Sequence, residues 1–252
     1  MTERSSVRES EAAAAGPPNA LGAAHARRAT LQVVPFWVAG AIAGLASVFY
    51  SRVFAATEAW SRNHLSTEGL FVAAPAALLV SWALVEFIAP EAGGSGIPQL
   101  MAASEPGAGE ALGARLLSLR VAVVKMLSSS VALLGGAAIG REGPTLQISG
   151  AIFRAVHALV PRSWPRVPVA SMLLAGGASG LAAAFNTPLG GIVYAIEELA
   201  RTHISSFRSG VLHAVLVAGL VAQMALGPYL YLGDPRLGPW AARDLPLFLL
   251  IG

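Results

Sequence analysis

The sequence predicts an all-α, polytopic membrane protein with broken and re-entrant helices, and three observations lead to that class. Hydrophobic residues make up 55% of the 252 residues, and charged residues only 12%, a balance that is unusual for a water-soluble domain. Long stretches contain no Asp, Glu, Lys or Arg. Shorter apolar pieces between them begin with glycine and proline. We therefore predict helices that cross a bilayer, and shorter helices that begin inside it.

The predicted crossing segments are separated by polar loops or by helix-breaking residues. Their boundaries are residues 29–51, 70–85, 116–139, 167–196 and 209–233, and a further apolar run covers residues 245–252. The fourth segment is interrupted by Asn186-Thr187-Pro188. The pieces at 97–103 and 144–160 are too short or too interrupted to cross simply, because a bilayer core of about 30 Å needs about 20 helical residues.

The first 28 residues show no apolar periodicity and contain a Gly-Pro-Pro run, so we predict a disordered tail over residues 1–28. Arg27 and Arg28 directly precede the first apolar segment, which favours a cytoplasmic N-terminus. A twin-arginine export signal is the alternative reading of that pair, but no small-residue cleavage site follows cleanly.

The composition also argues against several classes of function. With no cysteine, the chain has no disulfide, thiolate zinc site or iron–sulfur cluster. A net charge of +3, scattered among loops, does not form the basic stripe of a nucleic-acid-binding protein. His157, His203 and His213 lack metal-ligand spacing. We predict a protein that is not an enzyme and has no cofactor, metal or nucleic-acid partner.

Three loops that run into helix starts are the most informative motifs. Gly93-Gly94-Ser95-Gly96-Ile97-Pro98-Gln99 places a hydroxyl and bare amides at one spot. Gly140-Arg141-Glu142-Gly143-Pro144-Thr145 repeats the pattern with a carboxylate, and Asn186-Thr187-Pro188-Leu189 is a third start. Helix N-termini at membrane depth point free N–H groups at anions. The motifs therefore predict an anion site.

The segments GSGIPQ, GREGPTLQ and AAAFNTPLGGIVYAIEEL occur in this order and resemble the CLC family of chloride channels and chloride/proton antiporters. The resemblance runs from about residue 31 to the C-terminus. It implies that residues 29–252 form the N-terminal half of an inverted-repeat membrane domain, and that the protein is a homodimer. It also implies that Ser95 coordinates the central anion, with Gly96, Ile97 and Gly143 as further anion-binding residues. In the same family pattern, Glu142 is the external gate and Glu198 accepts protons from the cytoplasmic side.

Physical reasoning about the acids agrees with these implied roles. A carboxylate at a helix N-terminus is itself an anion in an anion site, so Glu142 competes with chloride when ionised and leaves when protonated. Glu197 and Glu198 are expected at a helix C-terminus, where the dipole and two neighbouring acids raise proton affinity. The alternative is that Glu197 and Glu198 are surface acids that pair with Arg201 at a membrane interface, a reading that suits Glu197 better than Glu198.

We therefore predict chloride/proton antiport in a lipid bilayer, with a passive voltage-gated chloride channel as the alternative. Arginine outnumbers lysine, which favours a prokaryotic inner membrane.

Two further residues stand out in the sequence. Gln99 occupies a position where many family members have glutamate. Lys125, the only lysine, lies in a span and therefore needs a partner or water.

The family completes its anion site with a second half that carries a GxFxP loop and a late tyrosine, and this sequence has neither. Burying an ion costs on the order of 20 kcal/mol, whereas one helix end returns at most about 2 kcal/mol. We therefore expect residues 1–252 to be a fragment that does not conduct alone.

Two alternatives come from other classes. Gly177-Ala178-Ser179-Gly180, followed by His213 on a later span, is similar to the serine–histidine dyad of rhomboid intramembrane proteases. Close packing of small residues between helices is the competing explanation of that segment. A non-conducting membrane scaffold is the second alternative, and it requires the anion loops to be vestigial.

Overall fold

The computed structural model describes residues 18–105, 107–194, 197 and 209–227. Within them all regular secondary structure is helical, which confirms the all-α prediction. The helices are α1 (Pro18–His64), α2 (Thr67–Ile88), α3 (Ile97–Ser104), α4 (Gly109–Leu116), α5 (Leu119–Leu134), α6 (Glu142–Leu159), α7 (Val169–Phe185), α8 (Pro188–Tyr194) and α9 (Ser209–Leu226), with a 3₁₀ turn at Pro90–Ala92.

Long crossing helices and shorter broken ones are both present. Ala26–His64, Thr67–Ile88 and Gly109–Leu134 are long and apolar enough to cross a membrane, the last by joining α4 to α5. The 8 residues of α3 rise only about 12 Å, so this helix is too short to cross a bilayer core of about 30 Å. The chain is an integral membrane protein, as predicted.

The first helix begins inside the segment predicted as a tail. Helix α1 begins at Pro18, so residues 18–28 belong to a helix of 47 residues rather than to a disordered tail. The prediction was wrong here because the proline is suited to the first helical turn and the following residues are rich in alanine, the strongest helix former. Residues 1–17 lie outside the described ranges.

The predicted break in the fourth segment is confirmed. Helix α7 ends at Phe185, and Asn186 takes a left-handed conformation with φ 56°, a position that asparagine tolerates better than most residues. Its side-chain amide donates to the carbonyl of Gly227 at 3.1 Å. Helix α8 then begins at Pro188, which needs no backbone N–H at a helix start.

Small residues set the close packing of the core. In α1, a Cβ added to Gly40 would lie 2.7 Å from the Ala214 carbonyl oxygen of α9. A Cβ added to Gly176 of α7 would lie 3.0 Å from Gly150 Cα of α6. Glycine and alanine let helix backbones approach this closely. Helices α1, α6, α7 and α9 therefore form the packed centre, and α2 packs outside it on α5.

Candidate anion-binding site

The first part of the site is the loop of residues 90–96, here called the Ser95 loop. Gly94 and Gly96 both have left-handed backbones, with φ 71° and 97°, which glycine adopts at little cost. The Ser95 hydroxyl is exposed and accepts a hydrogen bond from the N–H of Ile97 at 3.3 Å, where α3 begins. The loop thus presents a hydroxyl and the amide end of a helix together.

The second part of the site is the start of α6. Glu142 is the first residue of this helix and Gly143 the second. A Cβ on Gly143 would overlap the Ser95 carbonyl oxygen, and a Cβ on Gly96 would lie 2.9 Å from the Gly143 carbonyl oxygen. The two loops therefore touch through backbone, and only glycine fits at both positions. Ser95, Gly96, Ile97 and Gly143, predicted from separate motifs, lie together beside Glu142.

The Glu142 side chain is half-buried and folds back over Gly140. It interacts electrostatically with the buried hydroxyl of Tyr50 from α1, as does Arg141. The Tyr50 and Ser129 hydroxyls are 2.8 Å apart. Sequence reasoning missed both hydroxyls, although polar residues inside apolar spans were the available signal.

Arg141 holds the loop before α6 against the end of α7. Its side chain is 8% exposed, and it donates to the Ala184 carbonyl at 3.2 Å. The Thr145 hydroxyl donates to the Arg141 carbonyl at 2.6 Å and closes the first turn of α6. The carboxylate of Glu142 thus stands on a fixed helix start.

Lys125 lies directly behind the Ser95 loop. It is 3% exposed, and its ammonium donates to the carbonyls of Ala92, at 2.7 Å, and Gly94. The prediction that this lysine needs a partner is confirmed. Its positive charge also favours an anion in front of the loop.

The opposite edge of the loop carries an ion pair between Glu91, which lies outside the crossing helices, and Arg115 at the end of α4. The Glu91 carboxylate accepts from Arg115 Nε at 2.9 Å. Its own backbone N–H and Arg115 together hold the pKa of Glu91 below its usual value. No three His, Cys, Asp or Glu side chains gather into a metal-binding group within the described ranges.

The predicted proton-transfer acids are only partly described. Glu197 has an exposed side chain, and Glu198 lies outside the described residues. Their relation to Glu142 therefore stays a prediction.

The serine protease alternative fails on geometry. Ser179 is fully buried, and its hydroxyl has no hydrogen-bond partner within the described ranges. His213 instead packs its ring against Trp37, with the centroids 6.1 Å apart. A Cβ on the neighbouring Gly180 would lie 2.7 Å from Ser149 Oγ of α6. Among the residues that the structure describes, Ser179 therefore has no base that could activate it, and the Gly180 contact shows that the segment serves close helix packing.

These features define a class: a polytopic helical membrane protein whose broken helices bring two helix starts and a hydroxyl together, one residue after a glutamate. The family model described as voltage gated chloride channel matches residues 76–252. The chain belongs to this family, the CLC family.

Curated relatives include the H⁺/Cl⁻ exchange transporters ClcA of Vibrio cholerae and Vibrio parahaemolyticus. The first is 37% identical over 177 residues, which cover 69% of this chain and 36% of the relative. The second is 34% identical over 228 residues, which cover 85% of this chain and 47% of the relative. The chain therefore spans less than half the length of either relative.

Solved structures give the same fold. A slow cyanobacterial Cl⁻/H⁺ antiporter matches 88% of this chain and 53% of its own, with a TM-score of 0.68 at 22% identity. A eukaryotic CLC transporter matches 88% of this chain and 40% of its own, with a TM-score of 0.65 at 26% identity.

Proposed function

We propose that the protein exchanges chloride for protons across a membrane. The observation that carries this proposal is the backbone contact between the Ser95 loop and Gly143, which brings two helix starts and a hydroxyl together at the residue that follows Glu142. The amides of Gly96, Ile97 and Gly143 and the Ser95 hydroxyl would bind the anion. Relatives named as H⁺/Cl⁻ exchange transporters support the choice of substrates.

In this proposal, Glu142 is both the gate and a proton carrier. When ionised, its carboxylate occupies the electropositive helix start and excludes chloride; when protonated, it loses that attraction and leaves. Glu198, helped by Glu197, would deliver protons from the inner side. The proposal extends to a homodimer in a prokaryotic inner membrane with a cytoplasmic N-terminus.

The test measures chloride efflux and proton movement together, with the complete protein in liposomes under a chloride gradient. We expect chloride efflux to drive proton uptake. Glu142→Gln should abolish proton movement while chloride still moves, because a neutral amide neither carries a proton nor competes as an anion. Glu198→Gln should have the same effect on protons and spare chloride.

Glu68→Gln is the matched control, because Glu68 also lies in a first helical turn but on exposed α2. It should leave both fluxes unchanged. Chloride efflux from the unmodified protein without any proton movement would contradict antiport and favour the passive channel. Proton coupling that survives both Glu142→Gln and Glu198→Gln would contradict the assigned roles.

A further inference from the structure

The Ser95 loop is rich in glycine, so its shape has to be imposed from outside. Gly93, Gly94 and Gly96 give the loop more conformational freedom in the absence of constraints than other residues would. Ser95 itself contributes one long hydrogen bond, of 3.3 Å, to Ile97. The position of the Ser95 hydroxyl therefore depends on what holds the loop's backbone.

Side chains from three helices bind the carbonyl oxygens of this loop. Gln147 Nε2 donates to Glu91 at 2.9 Å, Lys125 Nζ to Ala92 at 2.7 Å, and Gln99 Nε2 to Gly93 at 2.6 Å. Each bond ties the loop to a different helix, namely α6, α5 and α3.

Gln147 differs from the others because it lies on the same helix as Glu142. It is fully buried, five residues after Glu142. Its second N–H donates to the carbonyl of Leu116 at 3.2 Å, where α4 ends. A Cβ on Gly96 would lie 2.8 Å from Gln147 Cβ. One side chain thus packs under Gly96 and hydrogen-bonds the loop on the other side of Ser95.

We propose that Gln147 is a positioning residue that fixes the Ser95 loop relative to the helix that begins at Glu142. This inference rests on the proposed function. Without the Gln147 amide, the Glu91 carbonyl keeps only a 3.4 Å contact with Gln99. Lys125 and Gln99 still hold the loop to α5 and α3, but its side-chain hydrogen bond to α6, the helix that carries Gly143, is lost. The anion would then lose simultaneous contact with the two helix starts.

Chloride binding to the purified complete protein, measured by isothermal titration calorimetry, tests the proposal. Gln147→Met keeps the length of the side chain and removes its amide. We expect the chloride Kd to rise about tenfold, the usual size of a lost hydrogen bond to a buried acceptor. A residue that acted only on stability would lower the melting temperature and leave the Kd of the folded protein unchanged.

Gln223→Met is the matched control, because Gln223 is an exposed glutamine on α9, and its Kd should stay as in the unmodified protein. If Gln147→Met does not fold, Gln99→Met replaces it, because Gln99 binds the same loop from α3 and should weaken chloride binding in the same direction.

The outcomes separate the two proposals. An unmodified protein that binds no chloride overturns the proposed function. An unmodified protein that binds chloride, with an unchanged Kd in folded Gln147→Met, overturns the positioning role alone. Where Gln99→Met is used instead, an unchanged Kd contradicts the idea that side chains bound to the loop's carbonyls control the anion site. The positioning role of Gln147 is then contradicted as well.

Discussion

Helices α2 and α6 have similar lengths and opposite surroundings. Helix α2, with 22 residues, has no buried residue, whereas residues 144–153 of α6 are buried without interruption. The buried stretch of α6 includes three polar side chains, Thr145, Gln147 and Ser149. Apolar α2 needs no protein cover in a bilayer, but buried polar groups need hydrogen-bond partners. The site is therefore found where polar side chains are buried, and not where the sequence is most hydrophobic.

The largest effect is expected from Gly143→Ala, at the start of α6. The added methyl group would overlap the Ser95 carbonyl oxygen and stand 3.3 Å from Ser95 Cβ. We expect chloride transport in liposomes to be lost, and the free energy of unfolding to fall by about 1 to 3 kcal/mol, as in other overpacked sites.

Gly113→Ala is its control, because the nearest atom to the new methyl group is Arg154 Cδ at 4.0 Å. That variant should transport like the unmodified protein. Normal chloride transport by Gly143→Ala would show that transport does not need the contact between the Ser95 loop and the start of α6.

An intermediate effect is expected from Lys125→Met. This change removes the donor to the carbonyls of Ala92 and Gly94 and the positive charge behind Ser95. A buried acceptor left without a partner costs about 1 to 3 kcal/mol, so thermal unfolding should occur at lower temperature and calorimetry should show weaker chloride binding.

Arg62→Met is the matched loss of a cation, from an exposed pair with Glu58. Such surface pairs contribute about 0 to 1 kcal/mol to stability, so the unfolding temperature and the chloride affinity should both stay close to those of the unmodified protein. Equal results for the two variants would contradict the role given to Lys125.

The smallest effect is expected from Leu79→Ala on α2. Leu79 is 65% exposed, and substitutions away from packed features change stability by about 0.5 kcal/mol or less. Thermal unfolding in lipid nanodiscs measures the change. A large loss of stability would mean that another protein surface, such as a second copy of the chain, covers this face of α2.

Most of the fold was predictable because its signals are local. Apolar runs with few charges marked the crossing helices, and proline with glycine marked the starts of α3 and α6 within a residue or two. The helical start at Pro18 was missed because the residues before Arg28 show no apolar periodicity, although their many alanines favour a helix.

The site was predictable in part. Ser95, Glu142 and Gly143 lie within recognisable motifs, and the structure packs Ser95 against Gly143, the residue after Glu142. The hydrogen bonds of Gln147 and the pairing of Tyr50 with Ser129 join residues 31 to 79 positions apart. No local pattern encodes such contacts, because they depend on how the helices pack.

Anomalous diffraction from bromide-soaked crystals of the complete protein would show whether the Ser95 loop and the start of α6 form one halide site. We predict a bromide peak within hydrogen-bonding distance of the Ser95 hydroxyl and of the amides of Ile97 and Gly143. Ordered bromide elsewhere in the protein, with none beside Ser95, would contradict it.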